Sequence, residues 1–157
     1  YFRYIHNNRE IIARNKNNEN LFRSIAGSSI NQYYGFAFER LGEAALDTIL
    51  DQLDLNLTDI VKMGSYFRQT RTHGAGLQID WLVIRRDGVW SLLEFKYLNK
   101  PAGMQVMHDI KQKIDRLNAP DNITIEPVLI SAHGATKQLE QTQFFQKIIN
   151  LSDLVNT

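Results

Sequence analysis

Two apolar runs separated by an Asp-Gly pair form the clearest pattern in the chain. Residues 77–84 alternate around β-branched and aromatic positions, and residues 89–97 resume an apolar run after Asp87 and Gly88. Asp-Gly between two such runs is the strongest short signal for a tight β-hairpin. The pattern therefore predicts that residues 77–97 form two antiparallel strands.

Strand periodicity places charged side chains within this hairpin. Successive side chains of a strand point to opposite faces, so alternate residues share a face. The predicted shared faces are Gln78, Asp80, Leu82 and Ile84 on the first strand, and Trp90, Leu92, Glu94 and Lys96 on the second. If the two faces coincide, Asp80, Glu94 and Lys96 come together. Two carboxylates and an amine on an apolar sheet are costly to bury without a partner or a function.

Two interpretations of this charged group remain open from the residues alone. The first is a functional site. The second is a cross-strand salt bridge in which Lys96 pairs with Asp80 or Glu94, an arrangement that also stabilises ordinary sheets.

Hydrophobic periodicity predicts the remaining elements. An apolar stripe at helical spacing indicates a helix over 33–53, and a strand with a bulge near Gly64 follows. The further predicted elements are a strand over 60–69, a helix after 100–103, a loop over 118–122, a strand over 123–131, a helix over 135–149 and a short element over 151–155. The order helix, three strands, helix, strand, helix predicts an α/β fold with a mixed sheet between helices.

Composition narrows the class of protein only a little. The chain has 157 residues, of which 43% are hydrophobic and 22% charged, as in an ordinary globular domain. It has no cysteine and no apolar run long enough to span a bilayer, so we expect a cytoplasmic protein without a membrane partner. A net charge of +1 does not by itself indicate nucleic-acid binding.

The first 20 residues differ in character from the rest. An aromatic and basic segment over 1–14 is followed by an Asn-rich segment over 15–20 that has no periodicity. We expect residues 1–20 to be a lead-in and linker from an upstream domain, and residues 21–157 to form a single domain. A frayed N-terminal extension is the alternative.

The hairpin motif resembles that of a known nuclease superfamily. Asp80 followed by Glu94-Phe95-Lys96 after a hairpin resembles the PD-(D/E)XK signature of restriction-endonuclease-like nucleases. Glu39 takes the place of the extra acid on the first core helix of that superfamily. More narrowly, F-E-R-L, Q-I-D and L-L-E-F-K-Y in this order resemble the nuclease-like domain fused to bacterial and archaeal AAA+ ATPases. The resemblance implies an α-β-β-β-α-β core and an upstream ATPase domain.

This resemblance also implies a chemistry. Phosphodiester hydrolysis needs an activated water and charge compensation at the phosphate, which Mg²⁺ or Mn²⁺ supplies through oxygen ligands. The implied ligands are Asp80, Glu94 and the Phe95 carbonyl, and Glu39 would bind a second metal or a metal-bound water. Lys96 would act on the attacking water or on the charge of the phosphate.

A nuclease also needs residues that bind the nucleic acid, which we expect to be DNA. The predicted phosphate contacts are Gln78, Arg68, Arg71, Lys100 and Lys111. A homodimer would suit cleavage of both strands, although the sequence leaves the oligomeric state open. The alternative function is a catalytically idle module that keeps the nuclease fold to bind nucleic acid or a protein partner.

Overall fold

The computed structural model describes residues 5–15, 20–27, 29–69 and 76–155. Its helices are α1 (Arg9–Arg14), α2 (Leu21–Ala26), α3 (Ser29–Ala44), α4 (Leu46–Gln52), α5 (Met104–Leu117), α6 (Lys137–Gln141) and α7 (Leu151–Val155). Its strands are β1 (Ile60–Arg68), β2 (Leu77–Arg85), β3 (Val89–Lys96), β4 (Thr124–Ser131) and β5 (Lys147–Asn150).

The five strands form one mixed sheet in sequence order. β1 pairs with β2 and β2 with β3 in antiparallel fashion, whereas β4 and β5 add in parallel. β3 lies at the centre of the sheet, and its residues 91–95 are buried. The element order confirms the predicted α-β-β-β-α-β core and mixed sheet.

The central hairpin forms where the sequence predicts it. Gly88 has a φ of +82°, a backbone conformation that glycine adopts without steric cost. The Asp87 carboxylate accepts a hydrogen bond of 3.1 Å from the Val89 N–H and closes the turn. Both ends of the turn are therefore stabilised locally, as expected for an Asp-Gly pair.

A bulge interrupts the alternation predicted for β2. In the pairing with β1, Leu82 lies opposite Gly64, but Ile79 lies opposite Tyr66, so β2 has one extra residue in this interval. Accordingly, Ile79 and Leu82 pack in the same core although they are three residues apart. The prediction that Gln78 shares a face with Leu82 by strict alternation is therefore wrong. The predicted irregularity near Gly64 is confirmed.

Each face of the sheet has its own hydrophobic core. On one side α5 contributes Val106, Met107 and Ile110 to a cluster with the β2 and β3 side chains of that face. On the other side α3 and α4 pack against the opposite face of β3 through Phe38 and Ile49. The predicted helix over 33–53 is divided between α3 and α4 at Ala45.

The prediction of one helix over 135–149 is wrong. α6 is only five residues long, and the chain then forms strand β5. Gln143 has a φ of +50°, a left-handed conformation that ends a helix. Ile148 and Ile149 beyond it pair with β4, where β-branched side chains pack well. Pairing with a free sheet edge thus overrides the helical pattern.

The N-terminal elements α1 and α2 precede the core. Most of the Asn-rich segment predicted as a linker lies outside the described residues, as does the loop 72–75, so the boundary at residue 20 stays a prediction. Within the described part of the chain, no helix is long and apolar enough to cross a membrane.

Two glycines of α3 provide a test of how closely this helix packs on β3. A Cβ at Gly42 would overlap the ring of Phe95, whereas a Cβ at Gly35 would have no heavy atom within 4 Å. Phe95 is itself buried, so its ring cannot easily move away. We expect Gly42→Ala to destabilise the protein by about 1–3 kcal/mol through overpacking. The matched Gly35→Ala should stabilise it by up to about 1 kcal/mol through helix propensity.

Chemical denaturation of both variants measures these changes. Equal stabilisation by the two alanines would show that α3 does not rest against Phe95 as described.

Candidate active site

One cavity of about 370 Å³ collects most of the predicted site residues. It lies where β2 begins and β3 ends, between α3 and α5. Its lining residues are Glu39, Gly76, Leu77, Gln78, Asp80, Glu94, Phe95, Lys96, Lys113 and Arg116. The structure thus brings together the four residues predicted as catalytic and the predicted phosphate contact Gln78.

Asp80 lies where the pairing of β2 with β3 stops. The described backbone pairs of the two strands run from Ile84 opposite Trp90 to Trp81 opposite Leu93, one residue short of Asp80. Beyond that point the Asp80 carboxylate accepts a hydrogen bond of 2.9 Å from the Phe95 N–H. The Asp80 side chain therefore takes the place of a backbone hydrogen bond between β2 and β3 at this position. This hydrogen bond holds one carboxylate oxygen of Asp80 against β3.

Glu94 is the most buried charged residue of the cavity, with 1% of its surface exposed. Lys96 Nζ lies 2.6 Å from its Oε1, and Lys113 Nζ lies 2.6 Å from both Oε1 and Oε2. Two ammonium groups thus compensate the charge of one buried carboxylate. The salt bridge between Lys96 and Glu94 that the alternative interpretation predicted is therefore present, although both residues belong to β3 and the pair is not cross-strand.

The surroundings of Asp80 and Glu39 disfavour the ionised form of both carboxylates. Burial, together with the negative charge of Glu94, raises the pKa of Asp80 above its ordinary value, although the Phe95 N–H and the two lysines oppose this. Burial and the charge of Asp80 likewise raise the pKa of Glu39, against the effect of Lys96. Acidic groups are therefore crowded here beyond what the lysines offset.

The surroundings of Lys96 favour its charged form, in contrast to those of the two acids. Burial alone would lower its pKa, but the charge of Glu94, its hydrogen bond to Lys96, and the charges of Asp80 and Asp109 together raise it. Lys96 is therefore protonated at neutral pH in this arrangement.

Glu39 approaches the cavity from α3, the helix packed beside β3, as predicted. α3 packs against β3 with the ring centroids of Phe38 and Phe95 6.1 Å apart. This contact places Glu39 beside the end of β3, where it lines the same cavity as Asp80 and Lys96.

Three of the other predicted phosphate contacts, all described by the structure, lie outside the cavity lining. Arg68 donates a hydrogen bond to the Arg116 carbonyl at the end of α5. Lys111 lies with its Nζ 5.3 Å from the centre of the Phe144 ring, and Lys100 is exposed in the loop after β3. Arg71 lies outside the described residues. Their role in binding nucleic acid stays a prediction.

Lys113 and Arg116 are cavity residues that the sequence prediction missed. α5 buries Val106, Ile110 and Leu117, which recur at helical spacing. Lys113 falls between Ile110 and Leu117 on that same stripe, because residues three and four apart share a helix face. A lysine at an apolar stripe position was therefore the signal that could have revealed it.

The donor set fits a hard divalent cation. Asp80 and Glu94 offer carboxylate oxygens, the ligands that Mg²⁺ prefers, and Mg²⁺ keeps several waters when bound by one or two carboxylates. Among the residues that the structure describes, no group of three or more His, Asp or Glu side chains is arranged to hold a metal ion. The fit therefore rests on the two carboxylates, and the roles of Glu39 and of the Phe95 carbonyl stay predictions.

The element order and the five-stranded mixed sheet define an α/β fold with helices on both faces of the sheet, and Asp80, Glu94 and Lys96 line one cavity at the end of its central hairpin. Residues 1–114 match DUF234, a family described as archaea bacterial proteins of unknown function, and the chain belongs to this family.

Two solved structures show a distant similarity. A repair endonuclease from Pyrococcus abyssi is 16% identical with a TM-score of 0.39, over 69% of this chain and 46% of that one. The structure of an EndoMS-dsDNA2 complex is 20% identical with a TM-score of 0.38, over 69% of this chain and 44% of that one. This chain thus spans less than half of either structure. No curated protein matches the chain.

The raised pKa of Asp80 yields a prediction about stability. The folded protein holds a proton on Asp80 more readily than the unfolded chain does, so stability should fall as pH rises through the ordinary pKa toward the raised one. Asp80→Asn removes this penalty and keeps an oxygen to accept from the Phe95 N–H. We expect it to stabilise the metal-free protein by about 0.5–2 kcal/mol at neutral pH, the usual gain when a functional site is relieved of strain.

Urea denaturation of both proteins between pH 3 and pH 8, in the presence of a chelator, measures this difference. The gain should shrink toward acid pH. A variant that is less stable than the wild type at neutral pH would contradict the prediction.

Proposed function

We propose that this domain is a metal-dependent nuclease that hydrolyses phosphodiester bonds, with DNA as its substrate and Mg²⁺ or Mn²⁺ as its cofactor. The observation that carries the proposal is the convergence of Asp80, Glu94 and Lys96 in one cavity at the end of the central hairpin. The resemblance of the same residues to the PD-(D/E)XK signature supports it.

Asp80 and Glu94 are the proposed metal ligands, with the Phe95 carbonyl as a further oxygen donor. The chemistry supplied by a divalent cation bound there is activation of a water and compensation of charge on the phosphate and the leaving oxygen. The Phe95 N–H holds one oxygen of Asp80, and this hydrogen bond orients the carboxylate toward the cavity. Glu39 would position a second ion or a water from the side of α3.

Lys96 is proposed to stabilise negative charge on the reacting phosphate. Lysine is protonated at neutral pH at its ordinary pKa, and in the metal-free domain the charges of Glu94 and Asp80 raise the pKa of Lys96 against the effect of burial. A protonated ammonium suits charge stabilisation better than abstraction of a proton from water. The Lys96 side chain is 29% exposed, so its head group has access to the cavity opening while it contacts Glu94. A positive charge and access to the cavity opening are both needed by a group that contacts the substrate phosphate.

The proposals for the upstream domain, the DNA contacts and the oligomeric state rest on the sequence resemblance. We place the domain downstream of an AAA+ ATPase, connected through residues 1–20, with phosphate contacts from Gln78, Arg68, Arg71, Lys100 and Lys111. Cleavage of both strands would suit a homodimer.

A catalytically idle module is the second candidate, and one observation favours it. Both oxygens of Glu94 already accept hydrogen bonds from lysines, so an ion must compete for them. The two candidates differ in whether the carboxylates bind metal and whether their loss abolishes cleavage.

Variants of the three central residues separate metal binding from catalysis. Asp80→Asn and Glu94→Gln should abolish Mn²⁺ binding and cleavage together. Lys96→Met should retain Mn²⁺ binding, or tighten it because a nearby positive charge is lost, while cleavage falls about 100-fold or more. Isothermal titration with Mn²⁺, beside a nuclease assay on the full-length protein, measures both.

Asp121→Asn is a matched control, because Asp121 is an exposed residue of the loop after α5. Cleavage without metal, or full activity in Lys96→Met, would overturn this mechanism. Absence of cleavage in the wild type together with retained DNA binding would favour the idle module.

Salt dependence tests whether the cations bind the phosphate backbone. Each neutralised phosphate of duplex DNA contributes a slope of about −0.9 to a plot of log affinity against log salt. Lys100→Ala should make that slope about one unit shallower and weaken binding to all sequences alike. Lys62→Ala is the matched control, since Lys62 is exposed on β1 and does not line the site cavity.

Fluorescence anisotropy with a labelled duplex at several salt concentrations provides the measurement. An unchanged slope in Lys100→Ala would remove that residue from the interface, and a flat wild-type response would argue against a backbone-binding surface.

A further inference from the structure

Glu94 has two cationic partners that differ in how they reach it. Lys96 is two residues further along the same strand and contacts only Oε1. Lys113 comes from α5 and contacts both carboxylate oxygens at 2.6 Å. Lys113 is thus the partner that engages the whole Glu94 carboxylate.

The burial of Glu94 explains why a second cation is needed. A carboxylate that is 1% exposed keeps its charge only if it is paired and hydrogen-bonded. Lys96 and Lys113 each form an ion pair with Glu94. The lysine at a core position of α5 therefore supplies the second counter-charge of this carboxylate.

A divalent cation would need the same oxygens. Lys113 already contacts both oxygens of Glu94, so an ion bound to Glu94 and the Lys113 ammonium would compete for one carboxylate. Two positive groups on one carboxylate would also repel each other. The Lys113 side chain is 24% exposed and lines the cavity, so it adjoins open space rather than only the core.

We propose that Lys113 is the resident counter-cation of Glu94, which leaves the carboxylate when a divalent cation binds. In this scheme, which rests on the proposed function, Lys113 keeps the metal-free domain folded and sets the metal concentration at which the site fills. It is a positioning residue for Glu94, distinct from the catalytic role proposed for Lys96.

Metal affinity and metal-induced stabilisation test the proposal without relying on cleavage. Lys113→Met should bind Mn²⁺ at least about tenfold more tightly than the wild type, because the competing charge is gone. Lys113→Gln keeps a donor near Glu94 without the charge and should show the same direction if the Met variant folds poorly. Lys62→Met, an exposed lysine of β1, is the control and should leave the affinity unchanged.

Thermal unfolding gives a second measurement. Without metal, Lys113→Met should unfold at a lower temperature than the wild type, because the buried Glu94 loses one of its two cationic partners. A ligand that binds only the folded state stabilises it by an amount that grows with the logarithm of its concentration divided by its dissociation constant. At one Mn²⁺ concentration well above both dissociation constants, the unfolding temperature should therefore rise more in the variant.

The outcomes distinguish this inference from the proposed function. Equal or weaker Mn²⁺ binding in both Lys113 variants, beside normal binding in the wild type, overturns the exchange but leaves the metal site intact. Mn²⁺ binding that persists in Asp80→Asn, or no binding in any of the proteins, overturns both. Tighter binding in the Lys113 variants that Asp80→Asn removes supports both.

Discussion

The burial of one carboxylate at the end of the central strand is the constraint on which the site depends. Glu94 lies in β3 with buried neighbours on both sides of the sheet, and a carboxylate in such a place needs counter-charges. Lys96 comes from the same strand and Lys113 from the crossover helix. The helix that carries the chain from β3 to β4 therefore also supplies a counter-charge for Glu94.

The second constraint is the close packing of α3 on the opposite face of β3. Gly42 leaves room for the Phe95 ring, and Phe38 meets that ring edge to face. Glu39 lies between these two helix positions and reaches the strand end as a result. Phe95 is flanked in sequence by Glu94 and Lys96, so one residue links the packing of α3 to the two site residues beside it.

The carboxylates of the cavity lower the stability of the folded protein. Burial and mutual repulsion raise the pKa values of Asp80 and Glu39, which means that the fold holds these carboxylates in an unfavourable place. Functional sites commonly keep such arrangements at a cost in stability.

The sequence by itself determined the features that depend on near neighbours in the chain. The Asp87-Gly88 turn, the alternation that sets Glu94 and Lys96 on one face of β3, and the order of the elements from β1 to β4 follow from local sterics and strand or helix periodicity. Tertiary structure alone decided the rest. The extra residue before Leu82 in β2, the pairing of β5 with β4 and the contact of Lys113 with Glu94 each depend on what another segment offers across the sheet. Local periodicity carries no information about such partners, because they are distant in the chain.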